Sequence, residues 1–168
     1  MGARPLLVAL CGASLLFAGC KQPSAAADAA APTSSSKFKG YVNDDAQILT
    51  PETRARLSAS LKAFEQRTHH QMVVATTPSL GGEDIAVYAR ALGNRGGIGR
   101  KGFNDGLIVL VAPNERKVRI AVGDGLTGQL PDERSQTIID QDMLPSFKAG
   151  DFGAGVEKGV AAISDQLH

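Results

Sequence analysis

Two apolar segments in the middle of the chain show the clearest pattern. Leu107 to Ala112 is an unbroken apolar run of strand length, and Lys117 to Val122 alternates polar and apolar residues. The turn at residues 113–115 joins them, so the pair predicts a β-hairpin. Because the start of one hairpin strand lies beside the end of the other, residues 104–105 and Asp124 are expected at the same end of the sheet.

The segment before the hairpin predicts alternating helix and strand. Thr50-Pro51-Glu52 is typical of a helix start, with a capping hydroxyl and a proline at the first helical position, and the helix is expected to end near Arg67. The adjacent pair His69-His70 is interpreted as helix-terminal cations rather than metal ligands. Residues 71–77 predict a strand and residues 83–92 a second helix. Strand, helix and strand in series predict a right-handed parallel crossover.

Two further helices are predicted after the hairpin. Pro131-Asp132 opens the first, with Asp132 as its N-cap, and Pro145 is expected to bend or end it. Asp151 is the predicted cap of the last helix, in which apolar residues recur every three or four positions as far as Leu167. The pattern predicts an α/β domain that has a small mixed central sheet with helices on both faces.

The N-terminal part of the chain differs from the rest. Residues 1–19 contain one arginine and an apolar run of about twelve residues, which is short for a membrane span and typical of a secretory signal. The run ends in LFAGC, which resembles the bacterial lipoprotein box and implies cleavage and acylation at Cys20. A signal cut elsewhere and a retained anchor are the alternatives. Residues 20–37, rich in Ala, Ser and Pro, predict a flexible tether, and the domain is expected to span residues 38–168.

Charge and cysteine content narrow the function classes. The chain has 18 Lys and Arg against 17 Asp and Glu, and loss of the signal removes only Arg4, which leaves 17 of each. A neutral chain without a basic run is poorly suited to binding nucleic acid. The only cysteines are Cys11 and Cys20, so the mature domain has no thiol for a disulfide or a zinc site. Lys21 favours the outer membrane as the location, with the domain facing the periplasm.

Oxygen-bearing side chains gather at one end of the predicted hairpin. Asn104, Asp105 and Asp124 are of the types that bind a hard cation. They are also ordinary turn formers, so both interpretations stay open. Arg100 and Lys101 offer an anion site beside these acids, or else they are a solvated pair of loop charges.

Four segments in order resemble the TPM-domain family of bacterial envelope and plant thylakoid proteins. They read YVNDDAQILTPETRARL, MVVATTPSLGGEDIAVYA, GIGRKGFNDGLIVLVAPNERKVRIAVGDGLTGQLPD and IIDQDMLPSFKAGDFGAGV, and the resemblance covers roughly residues 38–167. It implies an α/β sandwich with a small central sheet. It also implies that calcium binding, seen in some members, and a phosphatase activity, ascribed to others, are the chemistries to consider.

The resemblance adds two acidic residues to the predicted site. Asp44 matches an acid in the family's Val-Asn-Asp motif, and Asp140 matches an acidic position on the third helix. The length of the first helix places its start about 25 Å from the hairpin's site end. Asp44 therefore joins the site only if residues 41–49 double back. The chain reads Asn104-Asp105-Gly106 where the family usually reads Asp-Asn-Gly, which moves the carboxylate by one position.

Three hypotheses follow. The first is a lipid-anchored envelope module that acts through a protein partner and binds calcium through the following residues: Asp44, Asn104, Asp105, Asp124 and Asp140. The second is a metal-assisted phosphatase, in which Asp105 helps to place a cation that polarises phosphoryl oxygens. In the third, the acids have structural roles alone.

Overall fold

The computed structural model describes residues 38–167. The predicted signal peptide, lipid site at Cys20 and tether lie outside these residues. The strands are β1 (Val42–Asp44), β2 (Gln71–Thr76), β3 (Gly106–Ala112) and β4 (Lys117–Val122). They form one sheet in the order β1-β2-β3-β4, with β1, β2 and β3 parallel and β4 antiparallel to β3.

The helices lie between the strands and after the hairpin. They are α1 (Pro51–Thr68), α2 (Ile85–Gly96), α3 (Asp132–Ile138), α4 (Leu144–Lys148) and α5 (Phe152–Gln166). A π-helical turn, Ile139–Met143, connects α3 to α4, and a 3₁₀ turn, Asp124–Leu126, follows β4. Within residues 38–167 we find no helix with the length and apolar character needed to cross a membrane.

The sheet divides the core into two layers, as its alternating side chains require. On one face, Met72, Val74 and Val109 belong to the larger core, which also contains residues of α1 and α5. On the other face, Ile108 and Leu110 pack with residues of α2. The prediction of a mixed sheet with helices on both faces is confirmed.

Most predicted elements form close to their expected bounds. The hairpin pairs Leu107 with Val122, and β2 and β3 are parallel across the α2 connection. The hydroxyl of Thr50 caps α1 by accepting from the amide of Thr53 at 3.2 Å. Asp151 caps α5, accepting from the amide of Ala154 at 2.8 Å. Strand β1 was not predicted, because three residues are too few for an alternating pattern to emerge.

The third helix differs from its prediction at both ends. Pro131 occupies the N-cap position without a side-chain cap, so Asp132 as the N-cap is wrong. Asp132 is the first helical residue, and its carboxylate accepts instead from Arg119 at 2.9 Å. The irregularity expected at Pro145 takes the form of the π-helical turn just before it. Pro145 then lies in the first turn of α4, where its missing N–H removes no helical hydrogen bond.

Candidate functional site

The sheet has two opposite ends that matter for the predicted site. The loop end, where β2 and β3 begin, comprises His70, the loop at residues 97–105 and the turn at residues 123–126. The far end is where β1, β2 and β3 finish, at Asp44, Thr76 and Ala112.

Backbone hydrogen bonds hold the loop and the turn together at the loop end. The amide of Gly123 donates to the carbonyl of Gly106 at 2.8 Å, and the amide of Gly125 donates to that of Asn104 at 3.0 Å. Asn104, Asp105 and Asp124 therefore do emerge at one end of the hairpin, as its geometry predicts.

Asp105 is the centre of a buried cluster at the loop end. Its side chain is 3% exposed, and its Oδ1 accepts from the backbone amide of Arg100 at 2.7 Å. Its Oδ2 accepts from Nε of Arg100 at 2.6 Å and lies 3.2 Å from Nδ1 of His70. Burial by itself would raise the pKa of Asp105, but these hydrogen bonds from Arg100 and His70 hold the pKa below its ordinary value. The carboxylate is thus charged, with both oxygens bonded.

This carboxylate fixes the shape of the loop. The amides of Phe103 and Asn104 both donate to the carbonyl of Arg100, at 3.1 and 3.2 Å, which closes a tight turn beside the Asp105 contacts. Gly99 has a positive φ of 91°, and a β-carbon there would lie 2.4 Å from the amide nitrogen of Gly106. Only glycine meets both conditions, so the loop passes against the start of β3.

The tip of the loop is exposed and cationic. Phe103 is 61% exposed, and Cζ of Arg100 lies 4.4 Å from the centroid of its ring. The Arg100 side chain is 47% exposed, and Lys101 is exposed beside it. We call these three residues the loop surface. An aromatic ring stacked with a guanidinium is typical of residues that dominate binding interfaces.

The remaining predicted ligands of this end do not join Asp105. Asn104 is exposed with a positive φ of 51°, and Asp124 is exposed as the first residue of the 3₁₀ turn. Asp140 lies in the π-helical turn, where its Oδ1 accepts from Nε2 of Gln136 at 3.0 Å. Among residues 38–167 no three His, Cys, Asp or Glu side chains are grouped so that they could hold a metal ion.

Asp44 lies at the far end and has a different set of partners. Its side chain is 1% exposed, and it accepts from the amides of Ile48 and Leu49 at 3.1 and 3.0 Å and from the hydroxyl of Thr76 at 2.7 Å. In register Asp44 pairs with Thr76, which places it about 17 Å along the strands from Gln71 at the loop end. The chain after Asp44 does not double back to the loop end.

The positions of the five predicted ligands can be compared with the ligand arrangement that calcium needs. Calcium requires six to eight oxygen ligands around one point. Asp44 and Asp105 lie at opposite ends of the sheet, and the carboxylate of Asp105 already faces the guanidinium of Arg100. The five predicted ligands therefore do not form one calcium site.

His70 is the side-chain partner of Asp105 that the sequence did not predict. We interpreted it as a helix-terminal cation, whereas His69 ends α1 in a left-handed conformation and His70 turns toward Asp105. The contact between His70 and Asp105 follows from the register of the parallel strands β2 and β3. Gln71 pairs with Gly106, so the residues just before each strand become neighbours.

Comparisons with known proteins agree with this fold. A family model described as the TPM domain matches residues 42–166. The solved N-terminal domain of a protein from P. gingivalis is similar, with 30% identity, a TM-score of 0.71, and coverage of 76% of this chain and 81% of that chain.

Two more distant structures show the fold alone. The N-terminal domain of the cg2496 protein from Corynebacterium glutamicum is 14% identical, covers 78% of this chain and 82% of that chain, and has a TM-score of 0.62. The BA42 protein from the psychrophilic bacterium Bizionia argentinensis is 18% identical, covers 71% and 81%, and also has a TM-score of 0.62. No curated protein matches the chain.

Proposed function

The chain belongs to the TPM-domain family, and from that premise we propose that it is a binding module of the cell envelope, anchored by lipid at Cys20 and acting through a protein partner. One observation carries the binding role. Asp105, the acid with the strongest claim to chemistry in the sequence, uses both carboxylate oxygens to hold the loop that presents Arg100 and Phe103. A buried carboxylate that fixes the shape of an exposed loop holds the side chains of that loop in place, which supports a role of the loop in binding.

Calcium binding stays a prediction, but we do not assign it to the five residues named from the sequence. A cation at Asp105 would have to displace the Arg100 guanidinium, which lies 2.6 Å from Oδ2. The loss of those charge-assisted hydrogen bonds would also release the loop. The carboxylate of Asp105 therefore cannot hold the loop and bind a cation at the same time.

The second candidate function is phosphate-ester hydrolysis. One observation favours it: the half-exposed guanidinium of Arg100 and the imidazole of His70 converge on the same carboxylate oxygen, and both are groups that bind phosphate. The metal-assisted route through Asp105 is not part of this candidate, because both oxygens of the carboxylate are bonded.

A hydrolysis assay separates the two candidates. We would measure turnover of p-nitrophenyl phosphate by the wild-type chain, by Asp105→Asn and by Asp124→Asn, with and without calcium, after circular dichroism has shown that each is folded. A binding module gives no turnover above background in any of the three. Turnover that falls by orders of magnitude in Asp105→Asn but not in the exposed control Asp124→Asn would overturn the proposal.

The anchor and the partner need their own experiments. Metabolic labelling with palmitate should mark the wild-type chain and not Cys20→Ser. Photo-crosslinking in intact cells from Val87, which is 55% exposed on α2, should give one discrete adduct with a second protein, whereas a probe at the exposed, polar position Lys62 should give none. No adduct from Val87, or equal adducts from Val87 and Lys62, would contradict the partner.

A further inference from the structure

We propose that the loop surface docks the domain onto anionic phospholipid headgroups of the membrane that holds its anchor. In this arrangement Phe103 enters the boundary between headgroups and acyl chains, while Arg100 and Lys101 contact lipid phosphates. The orientation rests on the lipid attachment at Cys20 proposed above, and the contact itself is a property of the folded domain.

The chemistry of the loop tip suits a lipid interface. Peripheral proteins bind there by combining an inserted aromatic side chain with flanking Arg and Lys residues. Phe103 is one of only two large hydrophobic side chains exposed within residues 38–167. The one acid in residues 97–105 is Asp105, which pairs with Arg100, so the two basic residues and one acid of this segment leave a net charge of +1. The exposed charged side chains of the tip, Arg100 and Lys101, are both basic.

The tip is already ordered before it meets a surface. Asp105 and the carbonyl of Arg100 fix the backbone on both sides of Phe103, and Gln71 anchors the loop further back by accepting from the amide of Gly99 at 2.9 Å. A preformed contact loses little conformational entropy on binding. Three side chains can therefore suffice for a weak contact.

The tether joins the domain at the same end. Phe38, the first described residue, packs so closely on Gly96 that a β-carbon there would lie 2.1 Å from its ring. Gly96 is the last residue of α2, directly before the loop, and Phe38 lines a cavity of about 180 Å³ together with Gln71 and Ile98. The chain thus enters the domain beside the loop surface.

This geometry favours a membrane over an acidic protein segment as the occupant. Seventeen residues lie between Cys20 and Phe38, which allows a reach of at most about 60 Å. A lipid at Cys20 therefore keeps the loop end close to the bilayer at high effective concentration.

Tryptophan fluorescence provides the test, because the chain contains no Trp. We would place the probe at the tip with Phe103→Trp, in residues 20–168 carrying Cys20→Ser so that no lipid contributes. Vesicles of phosphatidylcholine alone are compared with vesicles containing 30% phosphatidylglycerol. The expected result is a blue shift and quenching by brominated lipid with the anionic vesicles only, reduced by added salt because surface charges are screened.

Matched variants distinguish binding through the loop surface from non-specific binding of the domain to vesicles. Val87→Trp places the same probe on α2 near the far end, and its emission should not change with either vesicle. Lys101→Glu, combined with the tip probe, should weaken vesicle binding on the order of tenfold, whereas Lys117→Glu at the far end should leave it unchanged.

Two results would overturn the proposal. One is no spectral change of the tip probe with anionic vesicles; the other is equal binding by the Lys101→Glu and Lys117→Glu variants. Both readouts use a chain without lipid, so neither depends on acylation of Cys20. A failure of palmitate labelling would refute the lipid anchor at Cys20. It would not change what the vesicle assay says about the loop surface.

Discussion

The two ends of the sheet each contain a buried aspartate, and they use it differently. At the far end Asp44 binds two backbone amides and a threonine hydroxyl, and its nearest cation, Arg54, is 3.9 Å away. At the loop end Asp105 binds one backbone amide and two ionisable side chains, Arg100 and His70. The contacts of Asp44 order the segment before α1, and the contacts of Asp105 hold the loop that presents the basic tip.

The role of each acid follows from the groups that donate to it. The carboxylate of Asp44 accepts from neutral donors and satisfies the backbone amides of Ile48 and Leu49, which is a purely structural task. Asp105 is held by the Arg100 guanidinium and by the imidazole of His70, so the Arg100–Asp105 pair is neutral as a whole and Lys101 supplies the net positive charge at the surface. Both residues look like metal ligands in the sequence, yet each orders a loop.

Asp44→Ala should have the largest effect, on stability alone. It leaves the amides of Ile48 and Leu49 and the hydroxyl of Thr76 without their acceptor, which should reduce the free energy of unfolding by about 3 kcal/mol. Urea denaturation measures the loss. Asp45→Ala, at the exposed neighbouring position, is the control and should change the free energy by less than about 0.5 kcal/mol. An equal, small effect of both would refute the structural role of Asp44.

Gly125→Ala should come next, and it acts at the loop end. A β-carbon at Gly125 would lie 2.0 Å from the carbonyl oxygen of Phe103, so the turn and the loop must move apart. The expected loss is about 1–3 kcal/mol in thermal or urea unfolding. Gly128→Ala, two residues after the same turn, meets no atom within 4 Å and should be tolerated. A tolerated Gly125→Ala would show that the loop does not pack as described.

Asp105→Asn should cost less, about 1–2 kcal/mol at neutral pH, because the half-exposed Arg100 can be solvated after the charge is lost. The effect should depend on pH. The folded-state pKa of Asp105 is held below its ordinary value of 3.8. The stabilisation of the folded state by the ionised carboxylate is therefore fully present above that pH and is lost as the pH falls through the folded-state pKa. The stability difference between wild type and Asp105→Asn should therefore shrink below about pH 4. A difference that is constant down to pH 2 would contradict the ion pair.

Phe103→Ala should have the smallest effect on stability. Phe103 is 61% exposed, and its ring centroid lies 4.4 Å from Cζ of Arg100, so the free energy of unfolding should change by less than about 0.5 kcal/mol. Co-sedimentation with anionic vesicles, which needs no tryptophan at position 103, should nevertheless show that binding is lost, and this separates the tip's role in contact from any role in folding. A large destabilisation would mean that Phe103 is a packing residue.

The sequence predicted the long elements and the hairpin because each contains a repeated pattern. Lys117 to Val122 was predicted to the residue, and the caps at Thr50 and Asp151 follow from local chemistry. Strand β1 was missed because its three residues are placed by pairing with β2. A strand that depends on its neighbour leaves little trace in its own residues.

The site was predicted less completely, for a similar reason. Hairpin geometry placed Asn104, Asp105 and Asp124 at one end of the sheet, and helix length placed Asp44 away from them. The partners of Asp105 depend on strand register, which the sequence does not display. His70 therefore went unrecognised until the pairing of Gln71 with Gly106 was known.

The backbone amide of Arg100 reports directly on whether Asp105 holds the loop, because it donates to Oδ1 of Asp105 at 2.7 Å. We would follow it by NMR hydrogen exchange in the wild type and in Asp105→Asn, and then during a calcium titration of the wild type. We expect a protected Arg100 amide that loses its protection in Asp105→Asn, while the amides of Ile48 and Leu49 at the far end stay protected. Calcium should leave the Arg100 resonance in place. An unprotected Arg100 amide in the wild type, or a saturable calcium-induced shift of it, would contradict the assignment of Asp105 to loop shape.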